Sequence, residues 1–323
     1  MSFPPPAMID EPVFKIRLDA KEANLSKDAH VCWLDLPSTL LGGRAVENIP
    51  LPGSTILHQG NLLMLDNPET ILGAIVVDGE DRLEQSVRDA YAHLLDVCAE
   101  RDMHLHRVWN YVPRINDSYQ GLERYRQFNI GRWLAFEQYF GRDLRSFMPA
   151  ASAVGVPGSS FALFFIAGKT QPIYLENPSQ VPAYHYPSEY GPRPPGFARA
   201  VLVPMKDQTI GFLSGTASIE GHRTVGEGDW HLQFRTTMHN IEIMLDRMNM
   251  VEILRGPEAA AKAGVSILDL RCYLRHSEML PLLKEWIKDE VGLSEDQVTF
   301  QQADICRSDL DLEIEAVFAK THV

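Results

Sequence analysis

The chain has 323 residues, 45% of them hydrophobic and 23% charged, with a formal net charge of −13. This is the composition of a globular protein with apolar material for one large domain or two medium ones. The acidic balance argues against a nucleic-acid partner, and no apolar run reaches membrane-spanning length. An anionic ligand would have to be drawn in by local arginines, not by the field of the whole molecule.

The opening MSFPPPAMIDEP has no basic start followed by an apolar core and reads as a proline-stiffened arm, not a secretion signal. Cys32, Cys98, Cys272 and Cys306 form no CxxC pair and no zinc spacing, which fits free thiols in a reducing cytoplasm.

The first structural run is an apolar strand, GAIVVDG (73–79). A helix from about Glu80 to Arg101 follows, with an early Gln85 and apolar positions at helical spacing (Val87, Ala90, Tyr91, Leu94, Leu95, Cys98). Then come a strand, HRVWNYV (106–112), a helix over 121–141, and the strands ASAVGV and SSFALFFIAG. The pattern repeats further on. The strand TIGFLSGTASI (209–219) leads into a helix from about Asp229 to Met248 with an early Gln233. A strand SILDLRCYLRH (266–276), a helix over 278–292 and strands around VTFQQADIC and LDLEIEAVFA complete the copy. The offset is roughly 150 residues, a domain-sized period. Order β-α-β-α-β-β with mixed strands predicts an α+β fold in which helices cover one face of each sheet. The expected units are 1–167, with the arm, and 201–323. The connecting segment 168–200, rich in Pro, Gly and Tyr, is long for a mere connection and reads as a functional loop or as a linker packing its aromatics on the surface.

The last strand poses a question. Asp311, Glu313 and Glu315 share one face, Leu312 and Ile314 the other. Three carboxylates together are either a solvated surface or a place where a proton is handled. At the repeat offset Leu163 falls opposite Glu313 and Val156 opposite Cys306. An architecture that accepts Leu and Val does not itself require Glu and Cys. Flanking carboxylates and partial burial would raise the pKa of Glu313, the middle acid.

The second half, from FLSGTASI to EIEAV, resembles the RidA/YjgF fold, so the chain reads as two such units in tandem. The stretches WNYVPRIN, GLERYRQFNIGRWLAF, VPAYHYPSEYGPRPPGFARA, LSGTASIEGHRTV and ADICRSDLDLEIE together resemble the chorismatases. That resemblance implies chorismate as substrate. It implies either hydrolysis to a dihydroxycyclohexadiene carboxylate or release of pyruvate with aromatisation to 3-hydroxybenzoate, in some members also 4-hydroxybenzoate. In the benzoate-forming members a cysteine lies seven positions before the catalytic glutamate, the spacing of Cys306 and Glu313.

Breaking an enol ether needs a proton on its methylene carbon, which a positioned carboxylic acid supplies. Glu313 is the expected acid. Forked guanidinium donors suit the two substrate carboxylates. Arg199, Arg132, Arg271 and Arg275 are the candidates, with Arg271 and Arg275 on one strand face by parity. Tyr186 is the favoured member of Tyr184, Tyr186 and Tyr190 as a hydroxyl donor, and Thr216 of SGTAS lies where a ligand could approach the backbone. Cys306, beside Arg307, is expected to have a depressed pKa and to guide deprotonation or ring chemistry after ether cleavage. His104, His106 and His222 carry no metal signature, and neither a metal nor an organic cofactor is expected. A monomer or small homo-oligomer is expected. The alternatives are a RidA-like imine deaminase and a non-catalytic scaffold whose acidic strand is merely wet.

Overall fold

The computed structural model describes residues 11–141, 147–293 and 297–322; residues 1–10 of the proline-rich arm lie outside this range. In chain order β1 (Val13–Arg17), β2 (Asn24–Lys27), β3 (Val31–Asp35), β4 (Thr39–Gly42) and β5 (Val46–Pro50) come first. The first unit holds β6 (Thr55–Gln59), β7 (Leu62–Asp66), β8 (Thr70–Asp78), α1 (Leu83–Glu100), β9 (His104–Pro113), the small hairpin β10 (Ser118–Tyr119) and β11 (Leu122–Glu123), α2 (Arg124–Phe140), β12 (Ala150–Val156) and β13 (Ser160–Gly168). The second holds β14 (Ile173–Leu175), β15 (Ala200–Pro204), β16 (Gln208–Ala217), the small hairpin β17 (Ile219–Glu220) and β18 (Arg223–Thr224), and α3 (Trp230–Arg247). It continues through α4 (Pro257–Lys262), β19 (Val265–Leu274), α5 (Leu280–Val291), β20 (Thr299–Gln302) and β21 (Leu312–Thr321).

The two large sheets have one topology. The first runs β12-β9-β13-β8-β7-β6, and the second runs β20-β19-β21-β16-β15-β14 with β4 added outside β20. In each, the chain-terminal strand (β13 or β21) lies in the centre, antiparallel to both neighbours, while one pair (β12–β9 or β19–β20) is parallel. The internal repeat is therefore real at the level of hydrogen-bonded order. Its two early glutamines are not equivalent. Gln85 reaches only Asp89 on the exposed side of α1, whereas Gln233 is fully buried and ties α3 to the loop before β21.

Helices cover one face of each sheet, as the apolar periodicity requires. On α1 the predicted positions Val87, Ala90, Tyr91, Leu94 and Leu95 enter one core cluster with Phe128 and Phe136 of α2. On α3 the side chains of Met238, Ile241, Met244 and Leu245 enter a second, with Leu283 and Ile287 of α5. Gly131 lets α2 approach α1 closely, since a Cβ there would strike the carbonyl oxygen of Glu84. A third core joins the two units to the N-terminal strands. Strands β2-β3-β1-β5 form their own sheet, and its Phe14, Ile16 and Leu34 pack against Trp109, Phe164 and Tyr273 from the two large sheets and Ile305 from the loop after β20.

The seam between the units is stitched at Ser214. Its hydroxyl donates to the Ala198 carbonyl at 2.6 Å and accepts the Ala151 amide of β12 at 2.9 Å. A register shift between Leu213 and Thr216 in the β16–β21 pairing marks a bulge there. Bulges re-aim side chains next to functional sites.

Gln233 lies within hydrogen-bond reach of the Asp309 carbonyl (3.0 Å) and Asp311 Oδ2 (3.1 Å), and it accepts the Asp311 amide at 2.8 Å. Replacing it by Met keeps the volume and leaves buried groups unpaired. Gln233→Met should lower unfolding free energy by about 1–3 kcal/mol, read from the urea midpoint; an unchanged midpoint would mean that the clamp contributes nothing.

Candidate active site

A cavity of about 230 Å³ opens at the seam. β11 contributes Glu123, α2 Tyr125, Arg126 and Arg132, and β12 Ala151, Ser152 and Ala153. The connecting segment supplies Tyr186, Tyr190, Pro195, Phe197 and Arg199. The second unit supplies Gly215, Ala217 and Ile219, the loop Cys306–Asp309, and Glu313 on β21. Neither unit alone encloses the space. The segment 168–200 is a wall of the site, and Tyr186, 9% exposed, is not surface packing.

Glu313 is 4% exposed, and its Oε1 is buried with no hydrogen-bond partner. Burial, reinforced by the negative charge of Glu315, pushes its carboxyl from 4.5 up to about 8; Arg107 and Arg199 pull the other way and lose. A carboxylic acid that holds its proton at neutral pH suits proton donation. Gly215 makes the acid possible at this position. A Cβ there would collide with the Glu313 carboxyl.

The flanking acids are not a solvated face either. Asp311 and Glu315 are 6% and 1% exposed, so the expectation of a wet surface fails for both. Asp311 is held by Gln233 and lies 3.3 Å from His276 Nε2. Glu315 receives Arg107 Nη2 at 2.5 Å, Trp109 Nε1 at 2.8 Å and the Tyr273 hydroxyl at 2.9 Å. Both are structural anchors, and only the middle acid faces the cavity.

Of the predicted arginines, two line the cavity. Arg199 donates to the Tyr186 hydroxyl oxygen at 2.8 Å and packs its guanidinium 5.1 Å from the Phe197 ring centre. Arg132 donates to Asn129 Oδ1 at 2.9 Å and lies 4.6 Å from the Phe128 ring centre. Each keeps a buried Nε without a partner. Arg271 and Arg275 do not belong to this lining. Arg271 is spent within the core on Glu47, Asp269 and Glu315. Arg275 lies one residue beyond the end of β19, so strand parity does not govern it, and it binds Asn116, Asp304 and the carbonyls of Ile305, Arg307 and Leu310. Thr216 is also misassigned. The β16 bulge turns Gly215 and Ala217 to the cavity, while the Thr216 hydroxyl donates to the Ser214 carbonyl at 2.8 Å.

Cys306 is half-buried at the cavity wall. The expected depression of its pKa is wrong in sign. Burial and the Glu313 carboxyl push the thiol up to about 12, against the pull of Arg307 and Arg199. It is a neutral S–H at physiological pH, not a base.

Arg307, in sequence only the neighbour of Cys306, is a further functional candidate at the cavity. It donates to the His222 carbonyl at 2.9 Å, lies 4.2 Å from the Tyr190 ring centre, and leaves Nη2 buried and unpartnered at the cavity. Its position beside the thiol was the available signal. Arg107 carries none, because in sequence it is one charged residue within the strand HRVWNYV. Among the described residues no group of three or more His, Cys, Asp or Glu side chains could hold a metal, and no helix is long and apolar enough to cross a membrane.

Residues 53–167 match the family model described as chorismatase FkbO/Hyg5-like, N-terminal. The chain is 38% identical over 244 residues to a 3-hydroxybenzoate synthase of Streptomyces hygroscopicus, covering 73% of this chain and 70% of that protein. It is 33% identical over 260 residues to a chorismatase of Streptomyces rapamycinicus, covering 78% and 75%. A crystal structure of a chorismatase is 26% identical and superposes with a TM-score of 0.80 over 98% of this chain and 95% of that one. With these identities to curated members over more than two thirds of its length, the chain belongs to the chorismatase family.

Proposed function

We propose that this chain converts chorismate to 3-hydroxybenzoate and pyruvate, with 4-hydroxybenzoate as a candidate second product, and that Glu313 donates the first proton. The observation that carries the reading is a buried carboxyl, pushed up to about 8, in a cavity that Arg132, Arg199 and Arg307 also line. Chorismate is a dianion. Guanidinium forks take its two carboxylates, and their unpartnered nitrogens are donors in need of acceptors. Arg199 donates to the Tyr186 oxygen, so the Tyr186 hydroxyl proton is free to reach a substrate carboxylate or ring hydroxyl. Substrate charge offsets the arginines, which strengthens the hold of Glu313 on its proton until the enol carbon takes it.

In the proposed reaction, protonation of the enolpyruvyl methylene carbon gives a methyl group and an oxocarbenium-like centre. The Glu313 carboxylate left behind stabilises that centre. Chorismate then divides into hydroxybenzoate and pyruvate with no net consumption of water, whereas the diol outcome consumes one. A neutral thiol at the wall beside Glu313 favours the first outcome, because it occupies space that an attacking water would need. Cys306 thus acts in the ring chemistry as an S–H group and not as a base.

Incubation with chorismate should release pyruvate and an aromatic acid in equal amounts. Folded protein that yields neither would sink the reading, and pyruvate with the diol alone would make the chain a hydrolase. Glu313→Gln should lose about 10²–10⁴-fold in kcat. The same variant should gain stability in alkaline solution. Folded Glu313 keeps its proton to about 8 while the unfolded group releases it near 4.5, so the native chain loses stability as pH rises between these values. A thermal midpoint at pH 8 lower than wild type would contradict this.

For the wild type, the acid form is the working form. Activity should be full well below pH 8 and fall as pH rises through about 8; a profile flat to pH 10 would exclude Glu313 as the donor. Cys306→Ala should divert product toward the diol, measured by chromatography of the product mixture, and an unaltered ratio would remove the thiol from product choice.

A further inference from the structure

Two carboxylates on one face of β21, Glu313 and Glu315, stand two residues apart, about 7 Å along the strand. Beneath them lies Arg107 of β9, 1% exposed. Its Nη2 binds Glu315 Oε2 at 2.5 Å and the Ser152 hydroxyl at 3.1 Å; its Nη1 is buried and has no partner. Ser152 lines the cavity, so this guanidinium is one side chain away from it. Both acids feel its charge. Glu315 is fixed from three further sides. Trp109 Nε1 and the Tyr273 hydroxyl donate to Oε1 at 2.8 and 2.9 Å, and Arg271 Nη1 lies 3.4 Å from the same oxygen. Arg271 is itself drawn off by Glu47 and Asp269.

We infer that Glu315 is a positioning residue for proton donation: by holding the Arg107 guanidinium it keeps that cation off Glu313 and leaves Glu313 an uncharged acid. This rests on the reading of Glu313 as the donor. The other charged or titratable groups around Glu313 are Tyr186, Tyr190 and Arg199 from the connecting segment, Cys306, Arg307 and Asp309 from the loop before β21, Glu123 of β11 and Arg126 of α2. Arg132 and Tyr125 come from α2, and Tyr273 stands opposite on β19. Arg107 is the cation that two acids contest. With Glu315 removed, Arg107 loses its only carboxylate partner at contact distance, and its uncompensated charge acts on Glu313, since a nearby opposite charge lowers a carboxyl pKa. The burial of Glu313 then no longer suffices to keep it protonated. The negative charge of Glu315 acts in the same direction as its grip on Arg107, since both favour the neutral form of Glu313.

The test compares Glu315→Gln with the charge-neutral double variant Arg107→Gln, Glu315→Gln. Two readouts are followed against pH: kcat/KM with chorismate, and the infrared C=O stretch of protonated Glu313 in ligand-free protein, assigned by its loss in Glu313→Gln. Glu315→Gln should move both midpoints down by about one pH unit or more. The double variant should bring them back toward wild type, because cation and anion leave together. Arg107→Gln alone should move them up, which serves if Glu315→Gln does not fold. A Glu315→Gln protein that loses activity with both midpoints unmoved overturns the inference and leaves a purely structural role. A wild-type chain that turns over chorismate without a midpoint near 8 overturns the Glu313 reading, and this inference with it.

Discussion

The site depends on the cost of placing a charge in the interior. A carboxylate two residues from another, both shielded from water, cannot ionise freely unless a cation compensates it. The protein compensates one and not the other. Glu315 has Arg107, Arg271, Trp109 and Tyr273 around it. Glu313 has an unpartnered Oε1 and a cavity in front of it. Identical chemical groups on one strand face thus become a structural anion and a neutral acid, and their environments alone set the difference.

The tandem architecture supplies the means. Each unit puts its last strand in the middle of its sheet. In the first unit that strand carries Phe161, Leu163 and Phe165, all fully buried, and serves only as core. In the second it carries Glu313 and Glu315, with Asp311 just before it. The first unit then contributes what the acids need. Arg107 and Trp109 come from β9, cavity-lining Ser152 from β12, and Tyr125 and Arg132 from α2. Ser214 holds the seam by bonding to both Ala151 and Ala198. The second unit on its own would lack Arg107, Trp109 and the cavity wall that the first unit supplies.

The electrostatics of the cavity also correct a common inference. An arginine next to a cysteine in sequence suggests a thiolate. Here Arg307 spends its charge on the faces of Tyr190 and Tyr186 and on the His222 carbonyl, while burial and Glu313 dominate at the sulfur. Adjacency along the chain counts for less than the medium around the group. The same holds for Arg271, which strand parity made attractive but whose charge is consumed by Glu47, Asp269 and Glu315.

Periodicity determined the elements. The helical spacing of Val87, Ala90, Tyr91 and Leu94, and of Met238, Ile241 and Met244, follows directly from which faces must be apolar, and the repeat placed β13 and β21 as counterparts. That Cys306, Glu313, Arg199, Arg132 and Tyr186 line one cavity was foreshadowed by the stretches that resemble a known family. The sheet formed by β2-β3-β1-β5 was not, since its strands are only four or five residues long and cap a face that exists only once both large sheets are assembled. Nor could the chain order of residues tell which arginines face the cavity, which acid stays neutral, or that Arg107 lies under Glu315 from 208 positions away. Those outcomes depend on desolvation and on contacts between distant strands, and both are properties of the packed molecule.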